Sequence, residues 1–313
     1  MTASHAVAVP VTTVWTTADS PRAIDRALVA DAPDLPGWCV THGGEDRVGL
    51  HGRVVTQALL GEPVQMLDEG DRWSRVVLPW QPSSLDARGY PGWVPTSHLL
   101  PAAGVEGVAG DGVAVVRPLT ATLRTPGGGV EVSCGTVLPA VRRDDSEVMV
   151  GLPDGGVGWL DVADVVRRAG TFTAAVDVTA ALSAARQFLG LAYLWGGTSG
   201  WGVDCSGLVH LAYRVHGVAV PRDAADQCAV LEAVGDDEVS VGDLLFFGRP
   251  DEPPHHVGLV TSPGPGDKLR MLHAPESGGL VEDAPLAPHR REMLAAARAA
   301  SWPTPADGPV LGR

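Results

Sequence analysis

One pattern is written twice in the first half of this 313-residue chain: VQMLDEGDRWSRVVLP closes on RGYPGWVPTSHLL, and VLPAVRRDDSEVMVGLP closes on GGVGWLDVADVV. Each copy reads as a short strand, an acidic turn, a second strand, and a Gly-rich turn into Gly-Trp followed by Val or Leu. Short runs punctuated by Gly, Pro and Asp predict small β-barrels, and the repetition predicts two of them. A first domain is expected over 1–103, its barrel at about 45–103 with residues 1–44 wrapped onto it through the strand-like VAVPVTTVW. A second barrel is expected over 104–168, with Trp73, Trp93 and Trp159 in the barrel cores.

After Arg168 the pattern changes. VTAALSAARQFLG sets Val178, Leu182, Ala185 and Leu189 on one helical face, and Gly190 suits the stop. The Gly-rich WGGTSGWG then runs into Asp204-Cys205-Ser206 and a second helical stretch with Leu208, Val209, Ala212 and Tyr213 on one side, ended by Gly217. Cys205 thus falls at a helix N-terminus. Three strand-like runs follow, DLLFFG, VGLVTS and LRMLHA, so residues 169–313 read as an α+β domain with a mostly antiparallel sheet.

Charge narrows the function. With 37 acidic against 23 basic side chains and a net charge of -14, the chain lacks the clustered cations that a nucleic-acid binder sets against phosphates. No apolar run reaches membrane-spanning length, and the first residues, with His5 and Pro10 and no basic stretch, do not resemble an export signal. Cys39, Cys134, Cys205 and Cys228 form no C-x-x-C pair, so neither a zinc knuckle nor a disulfide framework is indicated, and free thiols fit a reducing compartment. A cytoplasmic protein is expected, acting without nucleic acid, membrane, metal or cofactor; the sequence leaves the oligomeric state open, a monomer being slightly favoured.

The chemistry centres on Cys205. A thiolate is the nucleophile in cysteine catalysis, and a helix N-terminus and a nearby imidazolium both lower a thiol's pKa. In HHVGLVTSPGPGDKLRMLHAP two strand-like runs flank a turn, and 264.5, midway between His256 and His273, falls in it. A simple hairpin register would set the two histidines opposite on one face, His273 fixing the tautomer of His256 and aiming its other nitrogen at Cys205; a bulge or slip would undo that pairing. His255 would point to the opposite face. The same residues have plainer readings, a lone Cys being more often a small buried apolar residue. Cys39, Cys134 and Cys228 are read as structural and His210, His216 and His289 as ordinary helix or surface residues. Zinc on Cys205, His256 and His273 lacks a fourth ligand at a typical spacing.

The residues YLWGGTSGWGVDCSGLVHLAY, followed by VPRDAADQ, VGDLLFFG, HHVGLV and LHAP, resemble the NlpC/P60 family of papain-like cell-wall peptidases over residues 175–300. The resemblance implies that Cys205 is the nucleophile, His256 the base and His273 its orienting partner, and that Tyr193 joins the Cys205 backbone N–H in stabilising the oxyanion. VTTVWT, TQALLGEPV and GYPGWVP with a second SH3-like barrel resemble the dipeptidyl-peptidase VI subgroup, with Leu60 standing where an aromatic is more usual. That implies hydrolysis of L-Ala-γ-D-Glu-(L-Lys or meso-diaminopimelate) peptides at the D-Glu-diamino acid bond, with a free N-terminal L-Ala required, in the recycling of murein peptides. Recognition of the ammonium is carried onto Asp204 and Ser206, and more distantly onto Glu62 and Tyr90 of the first barrel, which would wall off the site.

Other readings remain open at this point. Asp204 and Ser206 also read as helix caps, Tyr90 and Tyr193 as core residues, and Arg222 of VPRD as a salt-bridge residue rather than a substrate contact. The runner-up functions are another Cys-His amide hydrolase or acyl transferase acting on γ-glutamyl peptides, and a non-catalytic protein that binds wall peptides.

Overall fold

The computed structural model describes residues 5–101, 112–169, 172, 177–235, 238–249, 251–276, 279–298 and 302. The boundary expected between the barrels, at 103–104, lies outside the described residues.

The duplication in sequence is a duplication in topology. Strands β1 (His5–Val7), β2 (Val11–Trp15), β3 (Val54–Leu59), β4 (Pro63–Glu69), β5 (Trp73–Leu78), β6 (Tyr90–Pro95) and β7 (Leu99–Pro101) form a seven-stranded sheet in the order β3-β2-β6-β5-β4-β1-β7. The second sheet holds β8 (Val113–Val116), β9 (Thr120–Thr125), β10 (Gly128–Ser133), β11 (Val137–Arg143), β12 (Glu147–Gly151), β13 (Val157–Asp161) and β14 (Val165–Arg168). Its order, β10-β9-β13-β12-β11-β8-β14, is the first order moved seven strands along the chain. Residues 1–44 do more than wrap: β1 pairs with β4 and β7, and β2 with β3 and β6, so this segment supplies two strands of the first sheet. Two short helices, α1 (Leu35–Thr41) and α2 (Gly44–Val48), lie between β2 and β3.

The tryptophans expected in the barrel cores are only partly buried. Strand alternation explains this, because the neighbours of Trp93, Gly92 and Val94, point inward and leave Trp93 on the other face. The first core is filled by aliphatic residues such as Val14, Val76, Leu78 and Val94, with Tyr90.

In the remaining chain, α3 (Val178–Arg186) is capped by Asp177, which accepts from the Thr179 amide at 2.9 Å. It buries Ala181, Leu182, Ala184 and Ala185, but Leu189, expected on that face, is 46% exposed and Phe188 is buried instead, since the helix stops before it reaches them. Two-stranded β15 (Thr198–Ser199) and β16 (Gly202–Val203) lead into α4 (Cys205–Arg214), followed by α5 (Ala224–Val230). A five-stranded antiparallel sheet completes the domain: β17 (Leu244–Phe247), β18 (His256–Ser262), β19 (Arg270–His273), β20 (Glu282–Pro285) and β21 (Leu294–Arg298), in the order β20-β19-β18-β17-β21, with α6 (Pro288–Glu292) before the last strand.

Helix α4 was expected to bury one side; all ten of its residues are buried. It lies against α3 and β18, and both barrels reach it as well. Arg214, 2% exposed, pairs with Glu62 of the first barrel at 2.8 Å, donates to the Gly135 carbonyl of the second at 2.9 Å, and stacks over Trp80. One apolar cluster accordingly joins Trp15, Trp38 and Leu59 of the first barrel, Val115 and Val137 of the second, and Leu208, Leu211 and Phe246.

Candidate active site

Cys205 opens α4, and the residue before it holds the helix end. Asp204 accepts from the Gly207 amide at 2.7 Å through Oδ1 and from the Gly196 amide at 3.0 Å through Oδ2. Gly207 is required by packing: a Cβ there would stand 2.1 Å from the Gly197 carbonyl oxygen. Buried Arg222 grips the Asp204 carboxylate with both arms, Nη1 to Oδ1 at 3.0 Å and Nη2 to Oδ2 at 2.6 Å, and also donates to Ser206 Oγ at 2.9 Å. Asp204 and Ser206 thus serve the helix end and an internal ion pair, and Arg222 is the structural salt bridge expected of it.

The histidines meet, but not in the register expected. Leu259 pairs with Leu272 and Val260 with Met271, which carries His273 opposite Gly258 rather than His256. His256 and His273 stay on one face, diagonal to each other, with His256 Nε2 2.9 Å from His273 Nδ1. Gly258 makes the approach possible, since a Cβ there would lie 2.8 Å from Met271 Sδ and 3.1 Å from His273 Cβ. On the far side of His273, Nε2 lies 3.4 Å from Glu282 Oε1, a residue the sequence reading did not single out.

Cys205 and His256 line one cavity of about 330 Å³ together with His51, Tyr193, Trp195, His255, Glu276 and Arg290. His255 presents its carbonyl oxygen to the thiol, 3.8 Å from Cys205 Sγ. Another hollow, lined by Gly266, Pro288, Arg291 and Glu292, holds no cysteine or histidine.

The electrostatics reverse the expectation of a thiol lowered by its helix end. Burial pushes the Cys205 thiol up to about 12, Asp204 adds to the rise, and hydrogen bonds from the Val257 and Ser206 backbone together with Arg222 only partly offset it. Burial, Arg290, His273 and His255 hold His256 well below the ordinary histidine value. Burial and Arg290 bring His273 down to about 3. Both shifts disfavour the charged forms of the pair. Tyr193 is raised by burial and by the Cys205, Asp204 and Glu276 charges, so its hydroxyl stays a donor.

Two residues carried over from the resemblance lie elsewhere. Glu62 is fully buried, accepts from the Leu59 amide and from Gln81 Nε2, and pairs with Arg214. Tyr90 donates to Asp223 Oδ2 at 2.8 Å. Neither lines the cavity. Glu62 instead begins a buried chain that reaches the helix Cys205 opens: Gln81 Nε2 to Glu62 at 2.8 Å, Thr56 Oγ1 to Gln81 Oε1 at 2.7 Å, Arg222 Nε to Thr56 Oγ1 at 2.8 Å, then Asp204. Leu60, noted for its departure from the usual aromatic, packs in the second barrel's core. Glu276, Arg290, His51 and Trp195 are the cavity residues that sequence reasoning passed over; no local period marks them.

Two SH3-like sheets ahead of an α+β domain, with a cysteine at a helix end facing a histidine pair, define a papain-like cysteine peptidase. Residues 190–298 match the NlpC/P60 family, 119–166 the YKFC SH3b2 domain and 47–99 the bacterial dipeptidyl-peptidase Sh3 domain. The chain belongs to the NlpC/P60 family. It is 34% identical over 285 residues to the gamma-D-glutamyl-L-lysine dipeptidyl-peptidase of Bacillus subtilis (strain 168), covering 89% of this chain and 92% of that protein. To the protein of the same name from Bacillus cereus (strain ATCC 10987 / NRS 248) it is 33% identical over 294 residues, covering 89% and 85%. A solved NlpC/P60 family protein from Bacillus cereus ATCC 10987 superposes with a TM-score of 0.88 at 32% identity, covering 96% of this chain and all of that one.

Proposed function

We propose that this peptidase hydrolyses the bond between γ-D-Glu and a diamino acid, L-Lys or meso-diaminopimelate, in murein-derived peptides with a free N-terminal L-Ala, releasing L-Ala-D-Glu. The observation that carries the reading is the cavity lined by Cys205, at the N-terminus of α4, and by His256, whose Nε2 lies 2.9 Å from His273 Nδ1 behind it. The relatives that share most of the chain's length bear the name of that activity.

In the reaction, Cys205 attacks the γ-carbonyl carbon while its proton passes to Nδ1 of His256, whose Nε2 is engaged by His273. Charge developing on the carbonyl oxygen is met by the Cys205 backbone N–H and the Tyr193 hydroxyl. Collapse breaks the C–N bond as His256 returns the proton to the leaving amine, and water, deprotonated by His256, then hydrolyses the thioester. Asp204 and Ser206 act in this scheme by holding the end of α4 against Arg222, beside the substrate's N-terminal half. Glu276, the carboxylate lining the cavity, is available to the substrate ammonium. Glu62 acts by pairing with Arg214 of α4, and Tyr90 by holding Asp223 at the start of α5 against the first barrel.

The same reading assigns a cytoplasmic recycling role. Its four free cysteines suit a reducing compartment.

The test is a mass-spectrometric digest of L-Ala-γ-D-Glu-L-Lys and its meso-diaminopimelate counterpart, each with free and acetylated N-termini, by wild type and Cys205→Ala. Wild type is expected to cleave only the free peptides and Cys205→Ala none. Cleavage of acetylated peptides overturns the gating by the N-terminus, and full activity in Cys205→Ala overturns the mechanism.

A further inference from the structure

The cavity holds a cation that the mechanism above does not use. Arg290, in α6, is half-buried and lines the wall beside Cys205 and His256. Its guanidinium lies over the Phe247 ring, 5.9 Å from the centroid, and Phe247 is both the register partner of His256 and its ring neighbour at 5.7 Å. Among the described residues Arg290 makes no ion pair and no side-chain hydrogen bond, whereas the next residue, Arg291, donates to the Gly266 carbonyl at 3.0 Å. Burial lowers Arg290, and Cys205 and then the Glu282 carboxylate are close enough to act on it, but the nearest partner of Glu282 is His273 at 3.4 Å. A guanidinium drawn out of water into a cavity, with five donors and no anion within hydrogen-bond reach among the described residues, is a built receptor for a carboxylate.

Its position says which carboxylate. His256 returns the proton to the leaving amine, so the leaving group lies on the His256 side of the cavity, where Arg290 stands. In a γ-D-Glu-diamino acid bond the leaving nitrogen is the α-amino group of the diamino acid, and the carbon bearing it also bears that residue's α-carboxyl group. The free α-carboxylate of D-Glu lies instead on the acyl side, beyond two methylenes from the scissile carbonyl.

We infer that Arg290 binds the α-carboxylate of the departing diamino acid, so that the enzyme selects peptides that end at that residue over those that continue past it or are amidated there. This rests on the substrate reading above. It also gives substrate a part in activation, because Arg290 depresses the basicity of His256, and a bound carboxylate cancels that field when the general base is needed.

The experiment compares kcat/KM for three peptides: L-Ala-γ-D-Glu-L-Lys, its C-terminal amide, and the acid with the D-Glu α-carboxylate amidated. Each is assayed with wild type, Arg290→Gln and Arg290→Lys. Wild type is expected to favour the C-terminal acid over the amide by roughly tenfold or more, Arg290→Gln to bring that ratio to within about threefold of one, and Arg290→Lys to keep part of it. Because the readout is a ratio within each variant, a general loss of activity does not mimic it. In the Cys205→Ala background, calorimetry is expected to show the acid losing affinity with Arg290→Gln while the amide keeps its own. A wild type indifferent to C-terminal amidation, or a preference untouched by Arg290→Gln, overturns the inference while leaving the peptidase reading intact. If Arg290→Gln equalises instead the peptides differing at D-Glu, the carboxylate is the acyl-side one and the assignment fails. If wild type cleaves none of the three, the substrate reading fails and this inference falls with it.

Discussion

Cys205 and His256 illustrate how burial and a helix end compete at a single atom. A helix N-terminus contributes roughly half a positive charge, which favours a thiolate, but withdrawal from water disfavours either charged form and here prevails. The consequence shows in the pH profile. The working base must be neutral, and His256 is neutral at rest down to well below 6.5, so kcat/KM is expected to hold as pH falls through 6.5 and to drop only further down. With the thiol pushed up to about 12, Cys205 supplies no alkaline limb in the ordinary thiol range. An acid limb at or above 6.5 in a kinetic titration would show instead that burial does not depress His256. His273 accepts from His256 only if its own proton sits on Nε2, and the Glu282 carboxylate 3.4 Å from Nε2 favours that tautomer. Replacing His273 with Ala is expected to lower kcat by roughly 10²-fold to 10⁴-fold. Glu282→Gln is expected to cost far less, about threefold to tenfold in kcat with KM little changed; an unaltered kcat would remove Glu282 from the relay.

Helix α4 is the element on which everything converges, and its start is held by one buried ion pair. Arg222 spans Thr56 of the first barrel, Asp204 and Ser206, so removing it strands the Asp204 charge in a dry interface. Arg222→Gln is expected to destabilise the protein by about 3–5 kcal/mol, read from the urea midpoint. Arg222→Lys is not expected to rescue it, since a single ammonium cannot make the two-armed contact. A loss under about 1 kcal/mol would mean the chain from Glu62 to Asp204 is not a unit.

Across the molecule, the apolar cluster that runs from Trp15 and Val115 to Leu208 and Phe246 ties the three sheets into one packing unit. A single calorimetric transition is expected, with calorimetric and van't Hoff enthalpies equal; separate transitions for barrels and peptidase domain would contradict it. Acid weakens this unit in a definite window. His210, buried on α4, and His273 are both lowered from 6.5 to about 3 by burial first and neighbouring arginines second. A group whose folded pKa is depressed binds its proton in the unfolded chain first, so the stability is intact above 6.5 and lost as pH falls towards 3. The slope is about 1.4 kcal/mol per pH unit for each such histidine, checked by denaturant midpoints at pH 7.5 and 5.

Much of this was legible in the residues. The repeated strand-turn-strand pattern determined two like sheets, because alternation and turn chemistry are local properties. Asp204-Cys205-Ser206 after a Gly-rich loop determined a cysteine at a helix start, and two histidines around a turn determined a coupled pair, because even a register two residues from the simple one keeps both on the same face. Tertiary structure alone decided which charges find partners. Glu62 found Arg214, Tyr90 found Asp223, Arg222 became the brace of α4, and Arg290 has no ion pair among the described residues. A sequence period records which face a side chain takes, but the identity of its partner depends on which distant segments meet, and that is settled only when three sheets close around one helix.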